Sequence, residues 1–270
     1  MEQNREKIRG QGLGLAAISY DSTAVLKAFA DREHIGFELL SDPDSTVIRG
    51  YRILNESIEK NSPYFGIPHP GTYVLNERGV VIAKYFEDDY RVRDTAASIL
   101  LRRFGLAPVG RQTVAAKHLQ LNVSGGDIPA RPGQRTSLAI DVQLPERMHV
   151  YAPGVSGYVP ISLKLESTPA FQADPVAFPP SRMMRLEAIH ETVPVYERQF
   201  RLLQTTTLGG AQQIEPLLDV NRDLTIKGEL RYQACDDREC FVPETVRLQW
   251  TVRVLPFDRT RAPERLRRKP

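Results

Sequence analysis

Only two cysteines occur in the 270 residues, at positions 235 and 240, and none precedes residue 235. A framework of scattered structural disulfides is thereby excluded. A zinc site would need two further ligands from elsewhere in the chain. Long apolar runs are missing too: nothing approaches the roughly 20 apolar residues that span a bilayer. The opening residues, Met1-Glu2-Gln3-Asn4-Arg5-Glu6-Lys7, are charged and hold no apolar export core. Charge of one sign is also scarce. The formal net charge is +3, and the stretch from Arg259 to Pro270 alone holds six basic groups against one Glu. The positive excess therefore reads as a solvated, Pro-flanked tail over 258–270, with contact to anionic lipid or nucleic acid as the lesser alternative. No nucleic-acid partner is expected. His34, His69, His118, His149 and His190 are dispersed without the helical spacing of paired ligands, so neither a metal nor a cofactor is expected.

What is present suits an ordinary globular chain, with 41% hydrophobic and 26% charged residues, and its length allows two domains. Residues 1–105 alternate between strand and helix signals. Leu13 to Tyr20 is an apolar run of strand length. Ser22 can cap a helix in which Val25, Leu26 and Phe29 recur at helical spacing. Phe37 to Leu40 is a short strand and Ser45 to Tyr51 a short helix. Thr72 to Leu75 and Val80 to Phe86 flank Asn76-Glu77-Arg78-Gly79, a hairpin turn by its chemistry. A helix over Arg91 to Phe104 closes the segment. This order implies a mixed sheet covered by helices. Gly10-Gln11-Gly12-Leu13-Gly14 precedes a strand instead of following one, so it is not a dinucleotide loop.

The pattern changes after a linker at 105–110. Residues 111–257 read as β. Leu138, Ile140 and Val142 alternate with polar residues. So do Leu224, Ile226, Leu230, Tyr232 and Ala234, with Gly228 in one inward slot. Val246, Leu248, Trp250, Val252 and Val254 alternate strictly with Arg247, Gln249, Thr251 and Arg253. Period-2 patterning of this kind gives strands with one buried and one wet face, and a two-sheet sandwich follows.

Cys235-Asp236-Asp237-Arg238-Glu239-Cys240 lies between two such strands. Extended, five steps span about 16 Å, far beyond disulfide reach, but the four polar residues between can turn tightly. So short a loop yields only about 2 kcal/mol of stabilisation, less than a staple between distant strands. Cys235 also falls on the polar parity of its strand, which turns its sulfur away from the core, where a partner thiol could reach it. Three acids against one base in the loop raise the thiol pKa, favour the disulfide and make the dithiol a better reductant. These points favour a redox-active pair. A structural bond and a metal site remain as alternatives.

The segment Tyr232-Gln233-Ala234-Cys235-Asp236-Asp237-Arg238-Glu239-Cys240-Phe241-Val242-Pro243-Glu244, with His149-Val150-Tyr151-Ala152-Pro153-Gly154, resembles the N-terminal domain of the thiol:disulfide interchange protein DsbD family. The resemblance covers most of residues 111–256. It implies an immunoglobulin-like sandwich whose Cys pair, Cys235 and Cys240, passes electrons to a thioredoxin-like or membrane redox protein through a mixed disulfide. Tyr232, Asp236, Asp237, Pro243 and Tyr151 would support that pair, with half-buried sandwich aromatics as the alternative for the two tyrosines. A shielding loop would lie near Leu186 to Tyr196, with His190, Glu191 and Tyr196 partly meeting its acidic-aromatic pattern. A disulfide-exchange domain belongs in an oxidising space such as the periplasm, although no export signal is visible.

Ala16-Ala17-Ile18-Ser19-Tyr20-Asp21-Ser22, Leu39-Leu40-Ser41-Asp42-Pro43 and Ile67-Pro68-His69-Pro70-Gly71-Thr72-Tyr73-Val74-Leu75 resemble the peroxiredoxin branch (AhpC/TSA, redoxin) of the thioredoxin-like fold over residues 8–103. The resemblance implies a cis Pro70, or second choice Pro68, facing a reactive cysteine. The segment that would carry that cysteine is lacking, and so is the central strand before it. The strands at 13–20 and 72–75 must then pair directly or leave bare edges. A start placed too far downstream is expected over a degenerate docking domain. The fold class is thus two-domain α/β + all-β: a truncated thioredoxin-like domain, 1–105, then an immunoglobulin-like β-sandwich, 111–257. The leading function is thiol–disulfide exchange, and an oxidoreductase of antioxidant type if active. The alternatives are a peroxiredoxin-like antioxidant whose reactive cysteine lies upstream, and a non-enzymatic binding module with a structural disulfide.

Overall fold

Alternating burial in two long strands organises most of the chain, and the computed structural model describes residues 1–62, 64–87, 89, 92–106, 111–125, 129–186, 190–256 and 260–266. The chain divides into two compact units, Met1–Ala96 with Phe257–Pro270, and Ala97–Pro256. The first holds α1 (Arg5–Gly10), β1 (Ala16–Ser19), α2 (Thr23–Glu33), β2 (Glu38–Ser41), α3 (Thr46–Gly50), β3 (Gly71–Leu75), β4 (Val81–Phe86) and the two-residue β5 (Arg93–Asp94).

Local chemistry explains its elements. Ser22 caps α2 by accepting from the Val25 amide. Asn76 Oδ1 accepts from the Arg78 and Val80 amides, and Gly79 takes φ +73°, so β3 and β4 close as a hairpin. β1 and β2 pair in parallel. Among the described residues β1 and β3 do not pair, so the expected gap leaves bare strand edges instead of a direct pairing. The apolar stripe of α2 is only partly covered: Val25 and Leu26 are half-buried, Phe29 is exposed and none of its residues is fully buried. Thr260, Ala262 and Pro263 of the C-terminal tail lie beside β1 and α2, lining a cleft with Ile18 and Phe29.

The second unit begins in α4 (Ala96–Phe104). Its Ser98 hydroxyl lies 2.6 Å from that of Ser137, and Ile99, Leu100 and Leu101 are buried. The contact division thus falls ahead of the linker read at 105–110, of which 107–110 lie outside the described residues. The strands that follow are β6 (Gln112–Val114), β7 (Gln120–Ser124), β8 (Gln134–Gln143), β9 (His149–Tyr151), β10 (Ser162–Leu165), β11 (Phe171–Ala173), β12 (Arg182–Leu186), β13 (Glu191–Glu197) and β14 (Gln199–Leu208). The short α5 (Ala211–Ile214) leads to β15 (Asp223–Tyr232), β16 (Ala234–Cys235) and β17 (Glu244–Arg253). They form sheets in the orders β10-β15-β17, β11-β14-β8-β7-β6 and β12-β13-β9-β16.

The result is a β-sandwich. Its core joins Leu138, Ile140 and Val142 of β8, Leu202 of β14, Ile226 and Leu230 of β15, and Leu248, Trp250 and Val252 of β17. β15 and β17 alternate buried and exposed along their whole length, as one-sided burial requires.

Candidate functional site

The chain changes sheets immediately before the first cysteine. β15 runs against β17 as far as Tyr232, opposite Glu244. After one residue, Gln233, the chain enters β16 and pairs with β9, placing Ala234 opposite Val150 and Cys235 opposite His149. Ala234 joins the main core, while Cys235 faces the other side of its sheet.

The bend that follows is held by backbone and side chain together. The Asp236 amide donates to Glu239 O at 3.0 Å. Asp236 Oδ1 accepts from the Arg238 and Glu239 amides at 2.7 and 2.9 Å. These bonds hold the Asp236 carboxyl below the usual carboxylate range. The Phe241 amide returns to Ala234 O at 2.9 Å, and Gln233 Nε2 donates to Phe241 O. The bend brings the two Cα atoms to 4.0 Å, and Cys235 and Cys240 form a disulfide.

The two sulfurs differ sharply in access. Cys240 is exposed, and so are Val242, at 88%, and Pro243 beside it. Cys235 is only 1% exposed. The parity argument placed it away from the main core, and there it stands, but not open to solvent. A second apolar cluster of Tyr151, Val193 and Val195, with Val155, Tyr158, Met184 and Leu186 against it, seals it. The expectation of an accessible Cys235 sulfur is corrected: parity gives the face of a sheet, not whether that face is covered.

Tyr151 bridges the two environments. It is 1% exposed, and its Oη lies 3.4 Å from Cys240 Sγ. Burial pushes its phenol up, so it stays protonated. Tyr158 stacks on it at 4.3 Å and donates to Glu191 at 2.7 Å, a bond that pushes the Tyr158 phenol up to about 12. His149 meets the Tyr151 ring edge-on at 5.5 Å. Asp237 lies on the outer side of the bend, 4.0 Å from Arg147.

The other sequence-read residues stand elsewhere. Tyr232 Oη lies 2.6 Å from Lys117 O and 2.7 Å from Glu244 Oε2, so it secures the end of β15 within the main core and does not reach the sulfurs. Both tyrosines are fully buried, not half-buried. Residues 187–189 of the expected shielding loop lie outside the described residues. Tyr196 packs on Phe200 in the main core and donates to Pro179 O, so it does not shield the pair. Pro70 belongs to the first unit, and no peptide bond among the described residues is cis. That corrects the cis expectation: trans is the cheaper X–Pro form, and no thiol stands there to require the other. Sequence reasoning missed Tyr158 altogether and placed Glu191 only in the expected shielding loop, not as the partner of Tyr158. It saw His149 only as part of a motif, since the pairing of β9 with β16 that brings it to Cys235 leaves no local signal. Among the described residues no cluster could hold a metal ion.

Comparison with known proteins matches two stretches of the chain to two families. Residues 1–84 match the AhpC/TSA family, and residues 123–251 match the family described as thiol:disulfide interchange protein DsbD, N-terminal. A putative peroxiredoxin bcp of Haemophilus influenzae is 27% identical over 35% of this chain and 59% of its own length. Alkyl hydroperoxide reductase C of Staphylococcus haemolyticus is 27% identical over 42% of this chain and 57% of its own. This chain therefore spans less than two thirds of either relative. The N-terminal periplasmic domain of ScsB from Proteus mirabilis aligns at 14% identity and a TM-score of 0.35, covering 52% of this chain and 49% of that one, too loosely to bear on the fold. The protein thus joins a thioredoxin-like part similar to the AhpC/TSA family to a β-sandwich similar to the N-terminal domain of thiol:disulfide interchange protein DsbD, two families of thiol–disulfide chemistry.

Proposed function

We propose that the second unit passes electrons by thiol–disulfide exchange through Cys235 and Cys240, with Cys240 as the sulfur a partner attacks. One observation carries the reading: of two bonded sulfurs, one residue is exposed and the other is sealed. Exchange requires in-line approach to one sulfur and departure of the other as thiolate. Only Cys240 allows the approach. The exposed Val242 and Pro243 beside it offer a small apolar rim on which a thioredoxin-like partner can rest.

The similarity of both parts to thiol redox families supports the same chemistry. The first unit has no cysteine of its own, so it contributes no thiol from the residues seen.

Trapping tests the proposal. With Cys235→Ser, the remaining Cys240 should hold a thioredoxin-like protein carrying a single active cysteine as a stable mixed disulfide. With Cys240→Ser, the buried Cys235 should capture little. Capture by neither variant would leave a structural bond in a sandwich.

A further inference from the structure

His149 stands in the middle of a row across three strands. The register sets Glu197 of β13 opposite His149 of β9, and His149 opposite Cys235 of β16. Residues directly opposite share a face, with Cβ atoms about 4.5–5.5 Å apart. His149 is 3% exposed, and its Nε2 is buried with no hydrogen-bond partner among the described residues. Buried polar atoms of that kind are rare and call for an explanation.

The exchange reaction supplies one. When Cys235 acts as the second nucleophile it must first lose its proton. A thiol that is 1% exposed under Tyr151, Val193 and Val195 cannot hand that proton directly to water. The acids in the neighbourhood are poorly placed to take it. Glu197 is paired with Arg182 at 2.7 Å, Asp236 is engaged in the bend, and Asp237 lies beside Arg147. Tyr151 is a protonated phenol. The group across the ladder with a free ring nitrogen is His149.

We propose that His149 accepts the Cys235 proton when that thiol resolves a mixed disulfide on Cys240; this rests on the exchange reading above. In the reduced domain, the Cys240 thiolate attacks a partner disulfide. The Cys240–partner bond forms, the partner's own S–S bond breaks, and its second sulfur leaves as a thiolate that takes a proton from water. Cys235 then gives its proton to His149 and attacks Cys240 Sγ. The Cys235–Cys240 bond forms and the mixed bond breaks. The partner's first sulfur leaves with the electron pair, and the imidazolium returns its proton to that sulfur or to solvent. The partner gains two electrons and the cysteine pair loses two. Burial holds the imidazole below its ordinary pKa against the opposing pull of Glu197, Asp237 and Asp236, so the ring starts neutral and able to accept.

The test uses the full chain, reduced, and dithiobis(nitrobenzoate). This disulfide releases one coloured thiolate when Cys240 attacks and a second when Cys235 resolves. His149→Gln should leave the first release within about twofold and slow the second about 100-fold or more near neutral pH. The deficit should persist as pH nears the ordinary thiol pKa of about 8.5, since a thiol sealed from water is sealed from hydroxide as well. An unchanged second release with an unchanged pH profile would overturn the role of His149 alone. Absence of the first release in the unmodified protein would overturn the exchange reading, and this proposal with it. Should His149→Gln fail to fold, the unmodified protein decides. Its second release should reach half its plateau at or below the ordinary imidazole pKa of about 6.5, and a midpoint in the thiol range overturns the proposal.

Discussion

Tyr151 Oη and Cys240 Sγ lie 3.4 Å apart across 89 residues of sequence. The phenol is kept protonated by burial, with the charge of Glu191 adding to the effect, so it can donate to a thiolate on Cys240 once the disulfide opens. Tyr151→Phe keeps the ring packing and removes that donor. The Cys240 thiol pKa should rise by about one unit, equivalent to about 1.4 kcal/mol of lost thiolate stabilisation. The pH dependence of alkylation in the reduced protein measures it. An unmoved pKa would show that the hydroxyl only fills space.

Asp236 gives the bend a pH dependence of known sign. Its carboxyl accepts two backbone amides, and its folded pKa is therefore depressed. A depressed acid contributes stability above its unfolded pKa, and that contribution fades as pH falls through the folded value. Hydrogen exchange at the Arg238 and Glu239 amides should be slow at neutral pH. It should quicken, beyond the intrinsic trend, below the ordinary carboxylate range near pH 4. Asp236→Asn should flatten that response.

Gly228 sits where the alternation of β15 demands an inward residue, opposite Leu165 of β10. A Cβ there would lie 2.8 Å from Leu165 Cδ2 and 2.9 Å from Lys164 O. The backbone oxygen cannot move without breaking the ladder. Gly228→Ala should lower unfolding stability by about 1–3 kcal/mol in urea titrations, with disulfide exchange kinetics unaffected.

The Tyr232 hydroxyl ties Lys117 and Glu244 together at the end of the longest ladder. Tyr232→Phe removes the one O–H shared between Lys117 O and Glu244 Oε2 in a part-buried place, while the Lys117 amide still donates to Glu244 Oε2. A loss of about 1 kcal/mol in denaturant is expected. Since the hydroxyl does not reach the sulfurs, the thiol pKa values should stay put.

Much of the sandwich was legible because its signal is local. Trp250, Leu248 and Val252 alternate with charged or polar neighbours, and β17 follows directly. The hairpin at Asn76-Gly79 and the cap at Ser22 were equally plain, since each is a side chain acting within four residues. The bend between the cysteines was legible for the same reason. Hidden from the sequence was whatever depends on distant pairing. The sheet change at Gln233, the cover over Cys235, and the meeting of His149 with Cys235 all arise between strands about 40 to 86 positions apart. The sequence left open whether the strands at 13–20 and 72–75 would pair directly, since that depends on packing, and among the described residues they do not.

The bend also limits how the two redox forms can differ. Ahead of Cys235 the chain is pinned by β9, and beyond Pro243 by the full length of β15. The return bond from Phe241 to Ala234 closes the base of the loop without help from sulfur. Opening the disulfide therefore frees little more than residues 236–239, and the surroundings present nearly the same surface before and after. On the exchange reading, a docked protein would have few cues of shape by which to tell spent from charged. Its departure would then be timed by the chemistry at the sulfur, not by a rearrangement of the surface that greeted it.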